Sequence, residues 1–308
     1  MKIKTVTADV CGSVKAGEEM SILVTGATGQ LGSDICSELK KRKIDHIGID
    51  LNKKDNIDML DITDKDAVSA YMIEKKPQCV IHCAAYTAVD KAEDEPELCF
   101  DINVNGTENL VLACKEVDAE FIYISTDYVF AGEGETPYET DAVKKPLSVY
   151  GKSKLAGENA VKEHTEKFYI VRISGVFGEN GNNFVKTMLR LAETKNEINV
   201  VNDQIGSPSY TADLARLLCD MALSGKYGEY HATNEGFCSW AEFAAEIMEI
   251  CKTGCKINTI TSQQYPTKAK RPKNWRLSKK SLDDAGFERL PEWQDALKRF
   301  TGGLMIKS

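Results

Sequence analysis

The stretch ILVTGATGQLG, residues 22–32, decides how the rest of this chain is read. Residues 22–25 are apolar or β-branched and predict a strand, and residues 30–41 carry apolar positions at helical spacing. Between them stand Gly26, Gly29 and Gly32. Glycine permits a tight turn and lets backbone approach a pyrophosphate closely. The helix that follows offers unpaired N–H groups and the positive end of its dipole to phosphate oxygens. Thr28, Gln30 and Leu31 complete the turn and fall within the same contact zone. A second strand, 44–49, runs into Asp50, whose carboxylate is placed to accept hydrogen bonds from an adenosine ribose. That favours NADH, because the 2′-phosphate of NADPH would face a carboxylate, while Lys53 and Lys54 offset the repulsion. Asp61 and Ile62 are placed to touch the adenine, although Asp61 equally suits a helix cap. A glycine-rich turn serving packing alone is the competing reading. The strand, helix and Asp50 around the triplet favour a dinucleotide.

Outward from this stretch, short apolar runs alternate with helical patterns. Strands are expected at 79–84, 120–125 and 168–173, and helices at 65–75, 97–116 and 150–163. Near-continuously apolar strands alternating with helices imply an α/β fold of Rossmann type, a doubly wound parallel sheet with right-handed crossovers. After residue 174 the rhythm changes. A polar loop, GENGNNF, precedes helices at 183–193, 212–222, 240–251, 278–285 and 291–300, with strands at 198–201 and 227–232. The expected organisation is an N-terminal arm or upstream start over 1–19, a dinucleotide-binding domain over 20–175, and a smaller, mainly substrate-binding region over 176–308. Some elements of the last region are expected to pack back on the sheet.

Composition narrows the function class. Apolar residues make up 42 % of the 308, enough for a sizeable core, and the net charge of −8 argues against a general nucleic-acid binder. No apolar run approaches the roughly 20 residues that span a bilayer. The first 19 residues lack the long apolar stretch of a secretory signal. Ten cysteines show no CxxC pair and the four histidines are scattered, so zinc spacing is absent and no metal site is expected. Several of the cysteines lie in apolar runs, which reads as reduced thiols in a cytoplasmic protein. These features fit a protein that acts on a small molecule and leave room for a homodimer.

The chemistry is carried by VYGKSKLAGE, where Tyr150 and Lys154 stand four apart at a helix start and share one face. A nearby ammonium favours a phenolate, so the pair is expected to bring the tyrosine towards working pH for proton exchange with a carbonyl or hydroxyl. YxxxK alone also describes an ordinary amphipathic surface. The preceding strand end, ISTDYVF, weakens that reading, because strand C-termini form the ligand crevice of open α/β sheets. There Thr126 is expected to polarise a substrate carbonyl, and Asp127 to orient neighbours or bind sugar hydroxyls.

Taken together, the glycine pattern, the hydroxyl-bearing strand end and YxxxK resemble the extended short-chain dehydrogenases/reductases. The blocks CAAYTAVDKAEDEPE, STDYVF, VYGKSKLAGE, GNNFVKTMLRLA and VNDQIGSPSYTADLA, in that order, are similar to the dTDP-4-dehydrorhamnose reductase family. The resemblance implies Thr126, Tyr150 and Lys154 as the catalytic set. It also implies cofactor contacts at residues 26–31, Asp61, Ile62, Ala84, Ala85, Tyr86 and Lys154. The implied activity is reduction, by NADPH or NADH, of the 4-keto group of a dTDP-linked deoxysugar to give dTDP-L-rhamnose. Tyr86, Thr87 and Asp90 are then placed to face the substrate, or else form a capped loop with a packed aromatic. Asn183 and Phe184 would border the nucleotide, or else cap a helix and fill the core. Gln204 lies in a polar turn, and Arg271, in KRPK, is suited to pair with diphosphate. One departure stands out: where the family carries a Trp after the fifth strand, this chain has Gly175, and Trp275 stands where the family tends to a smaller residue. Two rivals stay open: a sugar-nucleotide epimerase or dehydratase, which would retain its dinucleotide through the cycle, and a non-catalytic dinucleotide-binding regulatory subunit. Tyr128 after Asp127, rather than a carboxylate, disfavours the dehydratase arrangement, and the intact catalytic trio argues against the subunit.

Overall fold

The fold is built on seven parallel strands. The computed structural model describes residues 20–54 and 56–307, and the arm read for residues 1–19 lies outside them. Six strands come from the first half: β1 (Ser21–Thr25), β2 (Asp45–Asp50), β3 (Ile57–Met59), β4 (Cys79–His82), β5 (Glu120–Thr126) and β6 (Phe168–Ile173). The seventh, Gly228–His231, comes from the second half and pairs with β6. From that edge the order is Gly228–His231, β6, β5, β4, β1, β2, β3. The chain thus steps outward from β1 to β3, returns to β4, and steps outward the other way. The reversal opens a crevice beyond the C-terminal ends of β1 and β4.

Every residue of β4 and β5 is buried, which explains their near-continuous apolar runs: each face of the sheet is covered by helices. On one face, Ile35 and Leu39 of α1 (Gln30–Arg42) join Leu214 and Leu218 of the helix Thr211–Ala222 against Ile22 and Val24. On the other, Val68 and Met72 of the helix Lys65–Lys75 join Leu110 and Val111 against Leu23, Val80 and Phe121. A second core gathers Phe177, Phe243 and Phe300 among the helices Phe184–Ala192, Trp240–Ile250 and Trp293–Lys307. Among the described residues no helix is long and apolar enough to cross a membrane.

Several boundaries differ from the expectation. The helix anticipated over 97–116 is three pieces: Pro96–Phe100, a π-turn over Asp101–Asn105, and Gly106–Glu116. The irregular turn carries Asn103, whose buried amide donates to the Tyr86 carbonyl (3.1 Å) and the Ser153 hydroxyl (2.9 Å). A single π-turn is a short interruption inside a helical run, and the apolar pattern over so few residues does not reveal it. The strand expected over 79–84 stops at His82, leaving Ala84 and Ala85 free to line the crevice. The helix expected over 291–300 starts at Trp293, after a short strand Leu290–Glu292, and runs to Lys307. Strand Lys256–Ile260, parallel to Glu197–Val201, was not anticipated.

Leu218 belongs to the second half yet packs with no exposure under the first half's sheet. Leu218→Ala is expected to lower the unfolding free energy by about 2–5 kcal/mol, measured by urea denaturation with the far-ultraviolet signal. A loss below about 1 kcal/mol would mean that this helix adds little to the sheet.

Candidate active site

The ends of β1 and β4 are tied together before any ligand is considered. The Thr25 hydroxyl is hydrogen-bonded to Nδ1 of His82 at 2.7 Å and accepts from the Ala84 amide at 3.0 Å. His82 Nε2 meets the Thr107 hydroxyl at 3.1 Å. Burial, with the Lys154 charge nearby, brings His82 down to about 3, so it serves as a neutral linker. Gly26 follows β1 with φ +63°, and a β-carbon there would lie 2.8 Å from the Ala84 amide nitrogen. A side chain at Gly32 would collide with the Gly26 carbonyl. Both glycines are therefore required by close backbone approach. Helix α1 begins at Gly29 without a side-chain cap, so its first N–H groups face the crevice unmasked by a side chain. Asp50 is held at the crevice edge by the Thr28 amide (3.1 Å) and hydroxyl (2.7 Å).

The crevice is a cavity of about 660 Å³. One lining brings together Gly26, Thr28, Gly29, Gln30, Leu31, Gly32, Asp50, Asp61, Ile62, Ala84, Ala85 and Thr87 with Thr126, Asp127, Tyr150 and Lys154. These donors and this shape fit a dinucleotide: a glycine cradle and helix N-terminus for the pyrophosphate, and Asp50 for a ribose.

Thr126 ends β5 and Tyr150 opens the helix Val149–His164, which Ser148 caps by accepting from the Gly151 amide at 3.1 Å. The Thr126 hydroxyl donates to Asp127 at 3.1 Å. Burial raises Asp127 to about 7, opposed by that hydroxyl. Lys154 is 2 % exposed, with its ammonium 4.0 Å from the Tyr123 ring centroid. Burial lowers it to about 7, and Glu158 is the largest influence opposing the fall. Burial pushes Tyr150 upward, with the Thr126 hydroxyl pulling the other way. This differs from the expectation that Lys154 would lower Tyr150 towards working pH: burial dominates, and Asp127 and Tyr128 push in the same direction, so the phenol stays protonated. A protonated tyrosine beside a hydroxyl donor suits delivery of a proton to a forming alkoxide.

Some expected site residues are engaged elsewhere. Tyr86 turns its hydroxyl to Glu95 (2.7 Å), and Asn103 holds its backbone. Asn183 caps the helix Phe184–Ala192 and donates to Gln30 (2.9 Å) and the Gly178 carbonyl (2.8 Å). Phe184 packs on Trp240 and Phe243 as part of the second core. Gln204 and Arg271 line a second cleft of about 640 Å³ with Lys268, Lys270 and Lys273. Arg271 is paired with Asp90 at 2.6 Å and reaches the Tyr128 hydroxyl at 3.3 Å, and the Tyr128 ring stands edge-on to Tyr150. The cavity is also lined by Tyr128, Ser174 and Val176, which the sequence did not place there, and by Gly175, which it singled out. Their signal was position alone: each follows a sheet strand at its C-terminal end.

Gly175 has φ +53°, and a β-carbon there would sit 3.1 Å from the six-membered ring of Trp275. That indole, 4 % exposed, stacks on Trp240 with centroids 5.0 Å apart and lies directly over Gly206. Trp275 thus fills the space beside Gly175 that a side chain at 175 would need.

The profile of a family described as the RmlD substrate binding domain matches residues 20–305. A spore coat polysaccharide biosynthesis protein, SpsK, of Bacillus subtilis is 41 % identical over 91 % of this chain and 96 % of its own length. A dTDP-4-dehydrorhamnose reductase of Aggregatibacter actinomycetemcomitans is 39 % identical over 90 % of this chain and 97 % of its own. The crystal structure of dTDP-4-dehydrorhamnose reductase from Bacillus anthracis, in complex with NADP, is 40 % identical and superimposes with a TM-score of 0.88, covering 94 % of this chain and all of that one.

Gly26→Ala forces a side chain into the β4 end. It is expected to raise the dissociation constant for NADPH at least about tenfold, or about 1.4 kcal/mol, in a fluorescence titration. Unchanged affinity would show that the turn does not approach the cofactor. Gly175→Ala, strained in backbone and tight against Trp275, is expected to cost about 1–2 kcal/mol of stability in a urea melt.

Proposed function

The chain belongs to the RmlD substrate binding domain family, and from that premise we propose that it reduces the 4-keto group of dTDP-4-dehydrorhamnose to dTDP-L-rhamnose, using NADPH or NADH. The observation that carries this reading is one cavity holding both halves of the chemistry. The glycine turn, α1 N-terminus and Asp50 share its lining with Thr126, Tyr150 and Lys154.

The bound reduced nicotinamide supplies hydride to C4 of the sugar. Tyr150 gives its hydroxyl proton to the alkoxide that forms there, which balances the addition. Thr126 donates to the same oxygen as negative charge develops. Lys154 binds the nicotinamide ribose and offers positive charge beside Tyr150. Asp127 and Thr87 border the sugar. The second cleft, with Gln204, Arg271 and the lysines around it, receives the nucleotide diphosphate. Residues 176–308 act mainly as the substrate-binding region beside the dinucleotide-binding residues 20–175. We place the enzyme in the cytoplasm, without nucleic-acid or membrane partners and with a homodimer as its assembly.

The test is oxidation of NADPH followed at 340 nm with the 4-keto sugar nucleotide. Wild type is expected to turn over and release dTDP-L-rhamnose. Tyr150→Phe is expected to lose about 10²–10⁴ in kcat while still binding NADPH. An inert wild type would make the substrate assignment wrong, and full activity in Tyr150→Phe would make the proton route wrong.

A further inference from the structure

Behind the reaction centre runs a buried row of alternating charge. Glu158 lies on the helix of Tyr150 and Lys154, one turn beyond Lys154 and two beyond Tyr150, and its side chain has no exposure. One carboxylate oxygen accepts from the Ser125 hydroxyl at 2.5 Å and from Arg172 Nε at 2.8 Å, and the other accepts from the Arg172 guanidinium at 2.7 Å. Arg172, on β6 and equally buried, reaches on to Glu229 at 2.5 Å and to the Thr140 carbonyl at 3.1 Å. Lys162 meets Glu229 at 3.1 Å nearer the surface. From the cavity outward the signs run Lys154 positive, Glu158 negative, Arg172 positive, Glu229 negative, Lys162 positive.

Two consequences meet at Glu158. Ser125 precedes Thr126, so the bond between Ser125 and Glu158 fixes the catalytic helix against the strand end that carries Thr126. A buried ammonium also needs an opposite charge to stay protonated. The groups facing Lys154 are Tyr123 on β5, His82 on β4, Cys83 just beyond it, Cys99 on the helix Pro96–Phe100, and Glu158 on its own helix. Burial keeps both thiols protonated and His82 neutral. Glu158 is therefore the carboxylate among these groups, and the Arg172 fork meets both of its oxygens.

We propose that Glu158 is a positioning residue for the reduction, holding Tyr150 and Lys154 in register with Thr126 through Ser125 and serving as the counter-charge of Lys154. The proposal rests on the reading of the cavity given above. Without the Glu158 charge, Lys154 loses its proton at lower pH.

The experiment measures kcat, kcat/KM and NADPH affinity against pH for wild type, Glu158→Gln, Glu158→Asp and Ser125→Ala. In Glu158→Gln the alkaline loss of kcat/KM and of NADPH affinity is expected to begin about one pH unit lower. Glu158→Asp, which keeps the charge on a shorter arm, is expected to leave both limbs in place and lower kcat at least about fivefold. Ser125→Ala, which leaves the ion pairs whole, is expected to lower kcat at least about threefold with its limbs unmoved. A folded Glu158→Gln with unmoved limbs overturns the counter-charge role. If Glu158→Gln does not fold, wild-type kcat in both Glu158→Asp and Ser125→Ala overturns the proposal. A wild type that binds NADPH but leaves the 4-keto sugar untouched refutes the substrate reading, and the pH dependence of NADPH affinity still decides on Glu158.

Discussion

The architecture depends on how closely the ends of β1 and β4 are drawn together. They are adjacent in the sheet but come from opposite arms of its winding, and the crevice exists because the chain reverses there. Thr25, His82 and the Ala84 amide form the knot that sets the separation, and Gly26 fits into it with no room for a side chain. Every later element is positioned from this junction. Gly29 starts α1 beside it, β5 lies next to β4 and delivers Thr126, and the helix bearing Tyr150 packs across β5.

Burial dominates the electrostatics around Tyr150 and Lys154. Lys154 and Asp127 are drawn towards neutrality from opposite sides, each to about 7, while Tyr150 is held protonated. A pocket that desolvates all three favours neutral forms, and charge survives where a partner is buried with it. The Arg172 and Glu158 pair is such a partnership, with a planar fork meeting both carboxylate oxygens.

Much of this was legible in the residues. Gly26, Gly29 and Gly32 announce the turn, at Gly26 and Gly32 because a side chain would collide with backbone, and Asp50 follows from its place at the end of a strand. Tyr150, Lys154 and Thr126 were identifiable because strand ends and helix starts are predictable positions. What escaped depended on contacts distant in sequence. Asn103 sits in a π-turn that mimics helical spacing, and its partners Tyr86 and Ser153 are 17 and 50 residues away. Phe184 is an aromatic beside a polar loop, which suits a ligand as well as a core, and Trp240 and Phe243 decide for the core. Arg271 has the right fork for a diphosphate, and its pairing with Asp90, 181 positions away, could not be read from the local sequence. The relation of Gly175 to Trp275, 100 positions apart, likewise emerges once the fold has brought the indole beside the glycine.

The strand Gly228–His231 bears on how the protein is made. As the chain leaves the ribosome, β1 to β6 emerge well before it, so the nascent sheet presents β6 as an open edge. During that interval Arg172 lacks Glu229, which arrives on the closing strand, and the helix Thr211–Ala222 has yet to cover the apolar face beneath α1. The half that carries β1 to β6 is thus an incomplete folding unit for dozens of codons after β6 has been translated. Synthesis that stalls in this window exposes a hydrophobic sheet face and an unpaired strand edge, the surfaces that holding chaperones bind and that drive aggregation.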